Sequence, residues 1–175
     1  MTTPLVLTFV GDDRPGLVNA ISQRVADCDA AWLESRSAQL AGKFAGVLLV
    51  SVPDANLARL ESSLRNLEAA GLHITIERGA RAESCKRFVT LEIVGAERPG
   101  IVRDVTQALG ALGVNIEELA SGLESAPFSG LQMFRATARL STPDGLALDD
   151  LRRALERLAG EITVDLAVDD DEGRL

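Results

Sequence analysis

Short apolar runs and amphipathic stretches alternate along this chain, and the whole alternation occurs twice. Leu5 to Val10 is a mostly apolar run closed by Gly11-Asp12-Asp13, the pattern of a buried strand entering a turn. Leu17, Val18, Ile21, Val25 and Cys28 follow at helical spacing. Pro15 suits the opening of that helix, because a proline in the first turn forfeits no helical hydrogen bond. Trp32–Leu40 and Phe44–Val52 read as two strands around Ala41-Gly42-Lys43, whose glycine fits a tight hairpin. Asp54 is the expected N-cap of a helix carrying Leu57, Leu60, Leu64 and Leu67, and Gly71 its expected stop. Ile74 and Ile76 then alternate with polar neighbours, as on a half-buried strand. The order is βαββαβ.

The second half repeats it. Phe88–Val94 predicts a strand, and Ile101, Val105, Leu109 and Leu112 a helix. Two further strands follow, then a helix from Leu148 to Leu158 and a strand in which Ile162, Val164, Leu166 and Val168 alternate. At an offset of 84, Gly11, Arg14-Pro15-Gly16 and Val18 coincide with Gly95, Arg98-Pro99-Gly100 and Val102. The offset becomes 90 at Pro53-Asp54 and Pro143-Asp144, then 91 where Leu57, Leu60, Leu64 and Leu67 meet Leu148, Leu151, Leu155 and Leu158. The first change implies six extra residues between the middle strands of the second copy, where Gly122 to Gly130 predicts a long loop.

Two βαβ crossovers joined by a hairpin define an α+β, ferredoxin-like domain: a four-stranded antiparallel sheet with both helices on one face. The expected layout is a first domain over 1–80, a linker at 81–86, a second domain over 87–169 and an acidic tail at 170–175. Only 3% of the chain is aromatic, so Leu, Val, Ile and Ala must build both cores. Halves this small are marginal alone, which predicts a homodimer or an intramolecular domain pair.

The net charge of −8 argues against direct binding to nucleic acid, since phosphates call for clustered Lys and Arg. Cys28 and Cys85 have no metal-ligand or disulfide spacing and read as reduced thiols. No apolar run is long enough to span a bilayer, and no secretory pattern opens the chain, so the expected setting is the cytoplasm, without membrane contact. His73, the single histidine, has no nucleophile motif beside it, and Trp32 reads as a packing residue. No phosphate loop, HExxH or GxSxG segment is present. The expectation is a protein that is not an enzyme and uses no cofactor or metal.

Candidate chemistry sits at the two strand-to-helix turns, Gly11-Asp12-Asp13-Arg14-Pro15-Gly16 and Gly95-Ala96-Glu97-Arg98-Pro99-Gly100. Backbone N–H groups at a helix start lack acceptors and favour an anion. Gly16 and Gly100 would admit a ligand close to the main chain, Arg14 and Arg98 would fork onto a carboxylate, and Asp12, Asp13 and Glu97 would receive an ammonium. A free amino acid carries both charges. The plainer reading is that Pro and Gly merely punctuate the junction and that acidic residues near a helix start stabilise it anyway.

A βαββαβ domain with (D/E)-R-P-G at this junction resembles the ACT domain. Gly113-Val114-Asn115-Ile116 resembles that family's G-x-N-I segment. The tandem arrangement, with Trp32-Leu33-Glu34-Ser35-Arg36 and Phe44-Ala45-Gly46, resembles the glycine cleavage system transcriptional repressor group. The resemblance implies an amino acid, such as glycine or serine, bound at the two turns, with Asn115 added in the second copy. The first copy has Asp29-Ala30-Ala31 there, so the two sites are expected to differ. The implied role is indirect control of transcription through a protein partner such as a transcription regulator. A regulatory subunit of a biosynthetic enzyme and an interaction module without ligand are the alternatives.

Overall fold

The computed structural model describes residues 1–79, 87–125, 131–158 and 162–168. The chain divides into two compact units, Met1–Glu83 and Ser84–Leu175. The first contains β1 (Thr2–Asp12), α1 (Leu17–Asp27), β2 (Ala31–Leu40), β3 (Lys43–Pro53), α2 (Leu57–Arg65) and β4 (Leu72–Arg78). The second contains β5 (Arg87–Ala96), α3 (Ile101–Ala111), β6 (Asn115–Ser125), β7 (Gln132–Thr142), α4 (Leu148–Glu156) and β8 (Ile162–Val168).

Each unit forms one antiparallel sheet, ordered β2-β3-β1-β4 in the first and β6-β7-β5-β8 in the second. The central strands bury every second residue: Leu5, Leu7 and Phe9 on β1, and Val89, Leu91 and Ile93 at the same positions of β5. The helices close over that face through residues four apart, Leu17, Ile21 and Val25 on α1 and Ile101, Val105 and Leu109 on α3. Leu60 and Leu64 on α2 and Leu151 and Leu155 on α4 complete the cores. Each such leucine contributes about 1.5–3 kcal/mol on burial. Cys28 belongs to the first core. Trp32 packs against it as well, as expected, and His73 lies exposed on β4 opposite Val10.

Several local expectations change. Pro15 lies in the turn before α1, and Gly16, with φ +95°, occupies the N-cap. Asp54 opens a short 3₁₀ turn instead of capping α2, and its carboxylate accepts a hydrogen bond from Thr3 Oγ1 at 2.8 Å. Gly71 does end the helical segment, at φ +77°. The β2–β3 hairpin turns through Ala41 and Gly42, both with positive φ, as a two-residue turn matched to strand twist requires. In the second unit Gly122–Ser125 are not loop but the end of β6, paired as far as Ser125 with Gln132. Part of the insertion thus lengthens the hairpin. Residues 126–130, the expected linker at 81–86 and the acidic tail at 170–175 lie outside the described residues.

A feature without an apolar signature recurs in both units. The β2–β3 register shifts between Trp32 and Glu34, and the β6–β7 register shifts between Ile116 and Glu118. The bulged residues, Leu33 and Glu117, are 84 apart, so the duplication carried the bulge with it.

Candidate functional site

The two Arg-Pro-Gly turns occupy the same place in their units. Each leaves the C-terminal end of the central strand and is tied to the neighbouring hairpin, by Asp13 N–H to Gly42 O at 2.9 Å and by Glu97 N–H to Gln132 O at 3.2 Å. Gly16 and Gly100, at φ +95° and +86°, stand at the helix N-caps, and neither helix start has a side-chain cap. The glycines are therefore demanded by backbone conformation, whatever else they admit.

Around the first turn Asp13, Arg14, Gly16, Val18 and Asn19 surround a concavity of ≈220 Å³ that ends on Phe44. Phe44 is itself stacked against Phe9 at 5.8 Å between ring centres. A carboxylate, a guanidinium and an uncapped helix start thus line one small recess. Other predicted residues have partners within the protein. Gly11 is buried where β1 meets β4, and a Cβ there would lie 2.8 Å from Gly71 O. Asp12 accepts a hydrogen bond from Lys43 Nζ, its partner across the β1–β3 ladder, and this ammonium holds its carboxyl below the ordinary value. In the second unit Ala96 and Met133 replace that ion pair in register.

The arginines diverge too. Arg14 Nη2 donates to Ala70 O at 2.5 Å, bracing the turn against the end of the second helical segment. Arg98 Nη1 donates to Asp104 Oδ2 at 2.8 Å, and Arg103 grips the other oxygen of Asp104. These two guanidiniums, Arg98 first, lower the Asp104 carboxyl below its usual range against a smaller opposing effect of desolvation. Ala20 occupies the Asp104 position in the first unit, so Arg14 has no such partner.

Asn115 begins β6 and donates to Glu117 Oε1 at 2.9 Å, which also accepts from the buried Ser141 hydroxyl at 2.5 Å. The first unit has Ala31 and Leu33 in place of Asn115 and Glu117. Strand directions set Asn115 apart from its own turn. β6 runs parallel to β5, so Asn115 opposite Ser141 lies at the start of the sheet, and Gly95–Gly100 at its far end. Eight residues of strand, roughly 25 Å, separate them. One unit does not bring them together.

Lys43, Asp104, Glu117 and Ser141 are not among the ligand candidates that the sequence offers, and Glu117 with Glu118 reads there only as a carboxylate pair unsuited to shared acid/base work. Asp104 has a signal in the sequence, a charge at a position where the other copy has Ala20. Among the described residues no cluster of three His, Cys, Asp or Glu groups could hold a metal, and no helix is long and apolar enough to cross a membrane.

A duplicated βαββαβ unit, with an Arg-Pro-Gly turn at the first helix of each copy, defines a class of small regulatory domain. Residues 3–77 match the family model of the ACT domain, and the second unit repeats the topology of the first. The chain thus carries two ACT-like domains, the first matching the family model, and resembles the glycine cleavage system transcriptional repressors. It is 27% identical to the Escherichia coli glycine cleavage system transcriptional repressor over 162 residues, covering 90% of this chain and 85% of that protein. It is also 29% identical over 173 residues to a phosphoserine phosphatase of Mycobacterium tuberculosis, covering 95% of this chain but only 40% of the phosphatase. Among solved structures, an unknown protein from Galdieria sulphuraria superposes with a TM-score of 0.80 at 31% identity, over 97% of this chain and 99% of that one. A candidate glycine cleavage system transcriptional repressor gives 0.72 at 21% identity over the same shares, a likeness of fold.

Proposed function

We propose that the chain is a non-enzymatic, cytoplasmic sensor of a small amino acid that acts on transcription through a protein partner, in the setting of glycine metabolism. The observation that carries this reading is the recess at the first turn. Its Arg14 guanidinium suits the α-carboxylate, its Asp13 carboxylate suits the α-ammonium, and the α1 start adds unopposed N–H groups. In the second unit Arg98 would exchange Asp104 for the ligand carboxylate. Asn115 lies too far from its own turn to share a ligand with it, so it would serve a site completed by a second copy of the chain. A net charge of −8 supports a protein partner over direct contact with DNA.

The test is a thermal-shift screen of the amino acids, glycine and serine included, against the whole chain. A cognate ligand at about a hundredfold over its Kd stabilises the folded state by roughly 2.7 kcal/mol, a clear rise in Tm. No rise with any amino acid overturns the sensor reading in favour of an interaction module.

A regulatory subunit of an amino-acid enzyme is the second reading, favoured by the match of nearly the whole chain to a minor part of a phosphatase. Affinity capture from the native cell separates the two. Recovery of a transcription regulator supports the first, and recovery of a metabolic enzyme the second.

A further inference from the structure

The two units differ inside as well as at their turns. In the second, an apolar slot opens between α3, from Val102 to Leu109, and the edge strand β6, and its walls expose carbon only. Ile93, Ile116, Phe134 and Ala138 form its floor and sides, while Val102 and Leu119, 41% and 48% exposed, stand at its mouth. In the first unit Phe9 stands for Ile93, Trp32 for Ile116 and Leu48 for Ala138, all bulkier, while Gly46 stands for Ala136 and is smaller. The three bulkier residues pack in that core. Trp32 and Leu48 thus add bulk in the first copy where Ile116 and Ala138 border the slot in the second.

The slot has a volume of ≈20 Å³, enough for about one water-sized group. With no polar lining it offers water no hydrogen bond, so a methyl or methylene suits it better. Val102, at the mouth, lies in the first turn of α3, two residues beyond Gly100. Val102 is thus the residue that joins the mouth of the slot to the helix start that the Arg98 turn leads into.

We infer that the second unit, unlike the first, takes an amino acid with a short branched aliphatic side chain, whose branch enters this slot. The inference rests on the reading of the chain as an amino-acid sensor and names the ligand class of one of its sites. Glycine and serine leave the slot empty, and Trp32 with its neighbours denies it to valine in the first unit. One methylene-scale group in a fitted apolar pocket changes affinity by about 10- to 200-fold. Valine should accordingly bind the second unit at least about tenfold more tightly than serine does.

The experiment uses the whole chain, with valine, serine and glycine as probes, and follows binding by calorimetry and by methyl NMR. Valine should shift the methyl signals of Ile116, Leu119 and Val102, and glycine should not. Ile116→Trp and Ala138→Leu, each installing the first unit's own residue, should weaken valine binding about tenfold or more. If either variant fails to fold, the methyl map of the unaltered chain decides alone. Glycine or serine binding with valine no tighter, or valine binding that leaves those methyls unmoved or withstands both variants, overturns the slot and leaves the sensor reading standing. Silence of every amino acid overturns both.

Discussion

Arg98 and Asp104 close on each other at 2.8 Å within the turn and first helix of the second unit, an ion pair that the first unit cannot form because Ala20 replaces Asp104. One sequence motif thus serves two electrostatic arrangements. Arg14 is spent on the Ala70 carbonyl, which is neutral, and Arg98 on a carboxylate, which is charged. A ligand carboxylate competes with different opponents in the two copies.

The pair makes a pH prediction. Because Arg98 and then Arg103 lower the Asp104 carboxyl, the folded state holds its proton less tightly than the unfolded state does. The resulting stabilisation is present above the ordinary carboxylate pKa of about 3.9 and is lost as pH falls through the lower folded value. Asp104→Asn should therefore be less stable than the parent at neutral pH, with the gap closing from about pH 4 downward. Urea unfolding across that range measures it, and a gap independent of pH would show that the ion pair contributes nothing. The same variant frees Arg98 and should tighten amino-acid binding in the second unit.

Gly46 makes a packing prediction. A Cβ there would meet Phe9 Cζ at 2.5 Å and the Arg36 carbonyl at 2.6 Å. In the second unit the registered pair Phe9–Gly46 becomes Ile93–Ala136, a smaller residue on β5 allowing a larger one on β7. Gly46→Ala should destabilise by about 1–3 kcal/mol. Adding Phe9→Ile should recover part of the loss, a coupling between touching residues that a double-mutant cycle in urea reads directly. Additive effects would show that the Arg36 carbonyl and Ser37 Cβ, at 2.6 and 2.8 Å, set the cost without Phe9.

Both copies of the fold were legible because strands and helices repeat their apolar residues at different periods, and the duplication supplied each reading twice. Leu57, Leu60, Leu64 and Leu67 facing Leu148, Leu151, Leu155 and Leu158 left little freedom. What escaped was set by tertiary partners. The bulges at Leu33 and Glu117 arise from hairpin register, which alternation does not encode. Gly122–Ser125 look like loop residues, yet β7 offers them a ladder and they extend the strand. Asp54 is a residue type suited to a cap, but Thr3 on β1 donates to its carboxylate. At the turns the residue types were visible and their partners were not, since Ala70 and Lys43 come from distant segments.

The glycines separate conformation from helix propensity. Gly16 and Gly100 lie in the left-handed region, where a Cβ costs about 1–2 kcal/mol. Gly16 faces open space, and at Gly100 the nearest group is the flexible end of Arg103 at 3.1 Å, so strain dominates both costs. Alanine at either position should destabilise by similar amounts, and asparagine by less. Gly110 lies within α3 with nothing near its missing Cβ. Alanine there should stabilise by about 0.5–1 kcal/mol. A loss at Gly110, measured by urea unfolding, would contradict its helical placement.

The last prediction concerns DNA. Affinity for a duplex comes largely from Lys and Arg that displace counterions, and falls steeply with salt. In the described helices the basic residues are diluted by acids. The α4 helix carries Arg152 and Arg153 among Asp149, Asp150 and Glu156, and Arg153 is bound to Asp150 at 2.6 Å. No described helix presents an uninterrupted basic face, and the net charge of −8 repels the phosphates at long range. The purified chain should therefore leave a duplex unshifted at physiological salt and micromolar concentration. A DNA-bound regulator that is its partner should have its complex altered when the chain is added, and the alteration should depend on the cognate amino acid. A salt-sensitive shift by the chain alone would replace the indirect mechanism with direct binding.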